Sequence, residues 1–169
     1  GLKTGNIFPA AFESEKDLRG TVRLLNCRFN PKGLQVVPLR YREGRALLYV
    51  YRPKKLAEDL RHQTAVEILT AGGYKPEHPG NCIACLRRKL SENEAFPHEV
   101  GLFLGYPPED VCGFIENRAA CSKCVGCWKV YGDEARARQT FERYKKCTDS
   151  YCRSLRSGIT LDRLAVSVS

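Results

Sequence analysis

Apolar residues recur along the chain at two spacings, one typical of helices and one typical of strands. After Ser14, which begins a capping-box-like sequence, they recur every three or four residues and predict an amphipathic helix over residues 14–29. Two runs rich in β-branched and aromatic residues, 34–41 and 46–51, flank a polar turn and predict a hairpin. Because Pro38 cannot donate a ladder hydrogen bond, we expect the first of these strands at a sheet edge or a bulge.

The rest of the chain shows mainly helical patterns, separated by Gly and Pro. An apolar run at 100–106, flanked by Pro97 and Pro107, predicts a buried strand, and 128–131 predicts a short one. Helices are predicted at 53–61, 63–71, 82–91, 107–118, 133–156 and 160–164. This order predicts an α/β fold, with α+β as the alternative, in which helices pack on a mixed sheet of about four strands.

Length and composition favour one globular domain. The chain has 169 residues, 43% hydrophobic and 28% charged, which is enough to bury a core without a metal or a disulfide, so we expect a single domain over residues 1–169. It has no run of about 18 apolar residues, so we expect no membrane partner. The sequence contains no Met, and we expect a segment upstream of Gly1 to be missing.

Cysteine usage bears on the cellular compartment. Nine cysteines are an odd number, which favours reduced thiols or metal ligands over a disulfide framework. The first residues also lack the apolar stretch of a secretory signal. We therefore expect a cytoplasmic protein.

Four segments carry a resemblance to a known family. They are GLKTGNIF at 1–8, PLRYREGRALLYVYRP at 38–53, FPHEVGLFLGYPPED at 96–110 and GCWKVYGD at 126–133. Together they resemble a bacterial family known only as a domain of unknown function, found mostly in anaerobic Gram-positive bacteria. The resemblance covers nearly the whole chain and implies a bacterial cytosolic protein, but it carries over no catalytic role. It also implies that a short Cys-containing stretch precedes residue 1.

The sharpest chemical feature is a cysteine triplet with two-residue spacers. The spacing of Cys121, Cys124 and Cys127 allows successive thiolates to converge on one metal ion or cluster. Zinc and an iron–sulfur cluster are the two candidate cofactors, and the alternative is a reduced loop that binds no metal. A fourth ligand could come from Cys82, Cys85 or Cys147.

Two observations bear on which of the other cysteines could be the fourth ligand. Cys82 falls on the apolar stripe of the predicted helix 82–91, which favours a core position. Cys147 and Cys152 are five residues apart on one helix, about 140° of rotation, so they cannot readily share one tetrahedral metal. The apolar face of that helix is predicted to be buried and consists of Phe141, Tyr144, Thr148, Tyr151 and Leu155.

A second candidate site lies at the ends of the two later strands. There His98 and Glu99 pair an imidazole with a carboxylate, which suits general acid–base catalysis. The structural alternative is a histidine that is hydrogen-bonded at the start of a strand. A small-molecule enzyme would use a pocket formed by His98, Glu99, Tyr106, Lys129 and Tyr131.

The net charge suggests a third possibility. With 28 Lys and Arg against 19 Asp and Glu the chain carries +9, which would suit a nucleic acid or an anionic small ligand. The alternative is that solvated helix faces display these charges. The hairpin residues concerned are the basic Arg40, Arg42, Arg45, Arg52, Lys54 and Lys55 and the interleaved Tyr41, Tyr49 and Tyr51.

Three functions therefore stay open at the level of sequence. The leading hypothesis is an accessory binding protein whose cysteine-rich loop is a thiol or metal site. The alternatives are the small-molecule enzyme and nucleic-acid binding through the basic hairpin. Sequence alone leaves open whether the protein is an enzyme.

Overall fold

The computed structural model describes residues 1–92 and 95–167. The strands in this part of the chain are β1 (Gly5–Ala11), β2 (Gln35–Arg42), β3 (Arg45–Tyr51), β4 (Cys124–Val125) and β5 (Lys129–Val130). The helices are α1 (Glu15–Phe29), α2 (Pro53–Asp59), α3 (Gln63–Ala71), α4 (Pro79–Glu92), α5 (Val100–Phe103), α6 (Pro108–Glu116), α7 (Glu134–Arg156) and α8 (Leu161–Leu164). A 3-10 turn over Asn30–Lys32 follows α1. The predicted combination of helices and strands is confirmed.

The central sheet has the order β1–β3–β2, and both of its pairings are antiparallel. Side chains alternate along β3, so its two faces cover different layers. Leu48 packs with Leu18 and Val22 of α1 on one face. Tyr49 packs among the helices that follow β3 on the other face. The sheet is thus covered on both faces.

The expectation for Pro38 is confirmed. β2 is an edge strand, and its register with β3 shifts between Pro38 and Arg40. The bulge suits a residue that has no N–H to donate. The residue between them, Leu39, is 2% exposed and packs in the same core as Tyr49, on the face of the sheet opposite α1.

The predicted start of α1 is also confirmed. Ser14 is the N-cap, and its Oγ accepts a hydrogen bond of 3.2 Å from the backbone N–H of Asp17. This bond satisfies one of the N–H groups that the first turn of a helix leaves free.

One buried hydrogen bond connects the central strand β3 to the short helix α5. The phenol of Tyr49 donates a hydrogen bond of 2.6 Å to the carbonyl oxygen of Phe103, at the end of α5. Burial raises the pKa of this phenol well above its ordinary value, and the neighbouring Tyr51 and Asp59 raise it further. Tyr49 therefore stays protonated and keeps this bond at every ordinary pH.

The prediction of a buried strand at 100–106 is wrong. Residues Val100–Phe103 form α5, and Gly105 then turns the chain with φ of +76°. A short apolar run between prolines has the length of a strand or of a single buried helical turn, and its periodicity does not distinguish the two. Here the buried Leu102 and Phe103 pack as a helical turn against the core.

The sheets also differ in detail from the prediction. The described strands form two antiparallel sheets, β1–β3–β2 and β4–β5, instead of one mixed sheet. The pattern did not predict β1, whose residues alternate poorly. The predicted strand at 128–131 is present as β5, and its partner β4 lies in the segment expected to be a loop.

Only the first half of α7 is packed as expected. Phe141 and Tyr144 contact Trp128, and Ala137 is buried beside them. Further along the helix, Tyr151 and Leu155 are 39% and 43% exposed. The prediction that the apolar face is buried along its whole length is therefore wrong.

Candidate functional site

A cavity of about 340 Å³ lies between the segment that leads into α5, the helix α6 and the β4–β5 hairpin. Its lining is mainly apolar, and two basic side chains are part of it. The lining residues are Phe96, Pro97, His98, Val100, Gly101, Tyr106, Asp110, Val111, Phe114, Val125, Gly126, Trp128 and Lys129.

The β4–β5 hairpin is held against α6 by one carboxylate. Asp110, in the first turn of α6, is 3% exposed. It accepts hydrogen bonds of 2.6 Å from Trp128 Nε1 and of 2.7 Å from each of the backbone N–H groups of Tyr131 and Gly132. A carboxylate near a helix N-terminus is also favoured by the helix dipole. These three bonds account for the buried charge and position the wall of the cavity that the hairpin contributes.

Aromatic rings build the floor of the cavity around Trp128. Its indole stacks on Tyr106 with ring centroids 5.0 Å apart, and it meets Phe141 edge-to-face at 4.6 Å. Burial raises the pKa of the Tyr106 phenol, and the charge of the nearby Cys127 raises it further. Tyr106 is therefore a neutral hydrogen-bond donor at neutral pH and is unsuited to act as a base.

Two basic side chains meet at Phe114. The imidazole of His98 lies 5.2 Å from the Phe114 ring centroid, and Lys129 Nζ lies 6.0 Å from it. Lys129 Nζ also donates a hydrogen bond of 2.7 Å to the carbonyl oxygen of Ala119. Within residues 1–92 and 95–167, the ion pairs do not include Lys129. The Lys129 ammonium therefore stands at a mainly apolar cavity without an ion pair among the described residues.

The backbone that receives Lys129 has an unusual conformation. Arg118, Ala119 and Cys121 have φ of +47°, +64° and +57°. A non-glycine residue in this left-handed region costs about 1–2 kcal/mol, so surrounding contacts must hold the segment. The hydrogen bond from Lys129 to Ala119 is one of these contacts.

The comparison with protein families matched residues 1–165 to the model for a protein of unknown function, DUF3793. The chain belongs to the DUF3793 family. This match confirms the resemblance drawn from the four sequence segments. The comparisons with curated proteins and with solved structures each gave no match.

Three of the five residues expected in an enzyme pocket line the cavity of this DUF3793 protein. They are His98, Tyr106 and Lys129. The side chain of Glu99 instead binds Lys89 Nζ at 2.6 Å. Tyr131 contributes its backbone N–H to Asp110. Three of the five residues thus lie at one cavity, although the segment expected to be a strand is a helix.

Glu99 forms an ion pair with Lys89 that connects two helices. Burial by itself would raise the pKa of this carboxyl, but the hydrogen bond and charge of Lys89 outweigh burial and hold the pKa below its ordinary value. The ammonium of Lys89 also lies 4.7 Å from the Tyr74 ring centroid. Glu99 and Lys89 thus form a half-buried ion pair that attaches α4 to the start of α5.

The structure does not gather the cysteine triplet. Cys121 and Cys127 are exposed, and Cys124 is half-buried on β4. Across the described residues, no three His, Cys, Asp or Glu side chains are grouped in a way that could hold a metal ion. The metal site at these thiols stays a prediction.

The proposed fourth ligands lie on two helices. Cys82 and Cys85 belong to α4, and Cys147 belongs to α7. Cys82 is buried, as its place on the apolar stripe predicted, and its Sγ lies 3.3 Å from the carbonyl oxygen of Lys75. Burial raises the pKa of the Cys82 thiol to about 11. Cys82 is therefore an uncharged core thiol.

The basic hairpin offers fewer aromatic rings than the nucleic-acid hypothesis needs. Tyr49 and Tyr51 are buried, and their rings stack on each other with centroids 4.6 Å apart. They are not available for stacking with bases. Arg40 donates a hydrogen bond of 3.1 Å to the carbonyl oxygen of Leu90, and Arg42 pairs with Glu43. Nucleic-acid binding stays an untested prediction.

Several residues of the site gave no signal in the sequence. Phe114 and Val111 looked like ordinary apolar positions of a helix, and the carbonyl oxygen of Ala119 carries no side-chain signature. Asp110 was visible only as an acidic residue in the first turn of a predicted helix.

None of the helices in the described residues has the length and apolar character needed to cross a membrane.

Proposed function

We propose that this member of the DUF3793 family binds a small, mainly apolar molecule that carries one carboxylate, in the cavity beside Trp128. The observation that supports this most directly is Lys129, whose ammonium stands at the apolar wall formed by Phe114 and has no ion pair among the described residues.

The apolar part of the proposed ligand is suggested by the size and lining of the cavity. A volume of about 340 Å³ lies at the lower end of the range of about 300–1,000 Å³ in which proteins bind small molecules. Tyr106 and Trp128, whose rings stack on each other at the floor of the cavity, suit an aromatic ring. Burying such a ring releases water from both surfaces and favours binding.

The charge of the ligand is suggested by the two basic groups. A cation at an apolar surface is best compensated by an anion that reaches it through a charge-assisted hydrogen bond. Asp110 does not supply this anion, because its oxygens accept bonds from Trp128, Tyr131 and Gly132. His98 can donate a second hydrogen bond to the same carboxylate.

The cysteine-rich loop becomes a wall of the binding site under this proposal. Val125 and Gly126 lie between Cys124 and Cys127 and line the cavity. This proposal keeps the accessory binding protein that the sequence favoured. The thiols of Cys124 and Cys127 would then lie next to the bound ligand. A metal held by Cys121, Cys124 and Cys127 would be an addition to this site, and elemental analysis of protein purified without chelator tests it.

An acid–base enzyme is the second candidate, because His98 brings an imidazole into the cavity. Under this alternative a bound carboxylate compound would be converted, and His98→Gln would abolish turnover while leaving binding within about threefold. Tyr106, as a neutral phenol, would then donate a hydrogen bond to the substrate.

Trp128 provides the binding assay, because it is the single tryptophan of the chain and lines the cavity. We would titrate 3-phenylpropionate and its neutral amide, 3-phenylpropanamide, and follow the tryptophan fluorescence. The acid is expected to bind at least tenfold more tightly than the amide, since a charged hydrogen bond contributes about 1.5–3 kcal/mol.

The role of Lys129 is tested by three variants. Lys129→Met should remove the preference for the acid, and Lys129→Arg should keep it. Lys123→Met is the matched control, because Lys123 directly precedes β4 of the same hairpin and donates its hydrogen bond to the carbonyl oxygen of Gly132. Equal binding of the acid and the amide to the natural protein would overturn the proposal. An unchanged preference in Lys129→Met would overturn it as well.

A further inference from the structure

A second cavity, of about 420 Å³, lies where the 3-10 turn, the end of β3 and the start of α2 meet. Its side chains include four basic groups and one carboxylate, that of Glu58. The basic residues are Lys32, Arg52, Lys54 and Lys55. We propose that this basic cleft binds the phosphate group of a small molecule, at a site separate from the cavity beside Trp128.

Arg52 is the preorganised part of the basic cleft. Its residue is 8% exposed, and its guanidinium donates hydrogen bonds of 3.2 Å and 3.0 Å to the carbonyl oxygens of Lys32 and Val166. Its backbone N–H is bound to the carbonyl oxygen of Thr4 at 2.8 Å. A guanidinium has five N–H donors, and these two side-chain bonds use only part of them. The group is thus held in place with donors to spare.

Lys54 and Lys55 are more accessible to a ligand than Arg52. Lys54 is exposed and Lys55 is half-buried at the start of α2. Lys32 Nζ is bound to the backbone carbonyl oxygen of Asp162, which leaves its charge uncompensated by that bond. Two accessible ammonium groups beside a guanidinium that is held in place suit the tetrahedral oxygens of phosphate.

The electrostatics of the basic cleft also favour an anion of more than one charge. In the part of the chain that the structure describes, none of these four basic side chains belongs to an ion pair. Glu58 offsets one of the four positive charges at most. Like charges that line a concave surface reinforce each other's field and concentrate anions there. A phosphate ester or a diphosphate carries the charge needed to balance them, whereas a single carboxylate does not.

The size of the basic cleft argues for a small molecule that extends beyond its phosphate. About 420 Å³ falls within the range in which proteins bind ligands of metabolite size. The basic cleft is lined by four separate segments: Gly1, residues 30–33, residues 52–58 and Ser167. A surface that binds single-stranded nucleic acid would instead be expected to continue as a groove along several nucleotides.

Inorganic pyrophosphate is the probe we would use, in isothermal titration calorimetry at low ionic strength. The natural protein should bind it with a Kd in the micromolar range, and the affinity should fall as salt is added. The double variant Lys54→Ala/Lys55→Ala should weaken binding at least tenfold. Because Lys54 is exposed and Lys55 only half-buried, this variant should fold normally, which thermal unfolding would check.

The matched control is Lys145→Ala/Lys146→Ala, a neighbouring pair of exposed lysines on α7 that makes the same change in net charge. It should leave pyrophosphate binding within about twofold. No binding of pyrophosphate at low salt, or equal loss in both double variants, would overturn the proposal.

A third arm uses a single-stranded oligonucleotide. Tighter binding of the oligonucleotide than of pyrophosphate, lost in the Lys54/Lys55 variant, would replace the small-molecule assignment with a nucleic-acid one. The fluorescence response to 3-phenylpropionate should be unchanged in both double variants. The proposals for the basic cleft and for the Trp128 cavity are therefore tested independently.

Discussion

The indole of Trp128 donates a hydrogen bond of 2.6 Å to the buried carboxylate of Asp110. The same carboxylate accepts the backbone N–H groups of the two residues that follow β5. One side chain in the first turn of α6 thus positions both the tryptophan that forms the cavity floor and the backbone that leads into α7. The integrity of the candidate site therefore depends on a carboxylate that is engaged by three donors of the protein itself.

Removing this carboxylate should destabilise the protein. In Asp110→Ala three donors lose their acceptor, and each buried donor left without a partner costs about 1–3 kcal/mol, so we expect the free energy of unfolding to fall by about 3 kcal/mol or more. Urea denaturation followed by Trp128 fluorescence measures this change. The neighbouring Glu109→Ala, an exposed position, serves as the control and should change stability far less. Similar losses in both variants would contradict the structural role of Asp110.

Two glycines with opposite surroundings make a second test. A Cβ on Gly5 would overlap the ring of Tyr49 and lie 2.9 Å from the carbonyl oxygen of Phe103. Gly5→Ala should therefore disturb the bond between Tyr49 and Phe103 and lower stability by about 1–3 kcal/mol. Gly20, exposed within α1, has no atom within 4 Å of the added Cβ.

Gly20→Ala should raise stability, because alanine favours the helix over glycine by about 0.5–1 kcal/mol. Both variants would be compared by thermal unfolding. The packing of β1 against β3 would be called into question if Gly5→Ala were as stable as Gly20→Ala.

The ion pair of Glu99 and Lys89 predicts a dependence of stability on pH. The pKa of Glu99 in the folded protein lies below its ordinary value of 4.5. The folded state thus favours the charged carboxylate. This contribution is fully present above the ordinary pKa and is lost as the pH falls through the folded pKa. Glu99→Gln should therefore cost about 1–3 kcal/mol at pH 7, and the difference from the natural protein should shrink below about pH 4.5.

Denaturation of both proteins between pH 3 and pH 7 would measure this difference. The control is Glu92→Gln, which breaks an exposed pair with Arg88 and should show little change at any pH. A difference for Glu99→Gln that is constant over this range would contradict the ion pair.

Thiol labelling of the native protein should separate the cysteines into two groups. Cys27, Cys121, Cys127 and Cys152 are exposed, whereas Cys82 is buried. Since the thiolate is the reactive form and burial raises the pKa of Cys82 to about 11, Cys82 should react last at pH 8. Mass spectrometry of labelled peptides would give the order.

The same labelling experiment tests the metal prediction. If Cys121, Cys124 and Cys127 are protected until a chelator is added, a bound metal is present. If Cys121 and Cys127 react at once without chelator, as their exposure suggests, the thiols are free. Early labelling of Cys82 would contradict its place in the core.

Elements whose signals are local could be predicted from the amino-acid sequence. The cap at Ser14, the bulge at Pro38 and the helical periodicity of α1 and α7 depend on residues a few positions apart. The structure brings His98, Tyr106 and Lys129 to one cavity, although the strand from which that grouping was predicted is the helix α5.

The tertiary structure decided what depends on contacts between distant residues. Residues 100–103 form a helix because the core around Tyr49 and Phe103 accepts a helical turn there. Glu99 faces Lys89 instead of the cavity, and the outer half of α7 stays exposed. The cavity itself exists because Asp110 holds the β4–β5 hairpin against α6. Such contacts join residues from separate segments, so they cannot be predicted from the local pattern of apolar and polar positions.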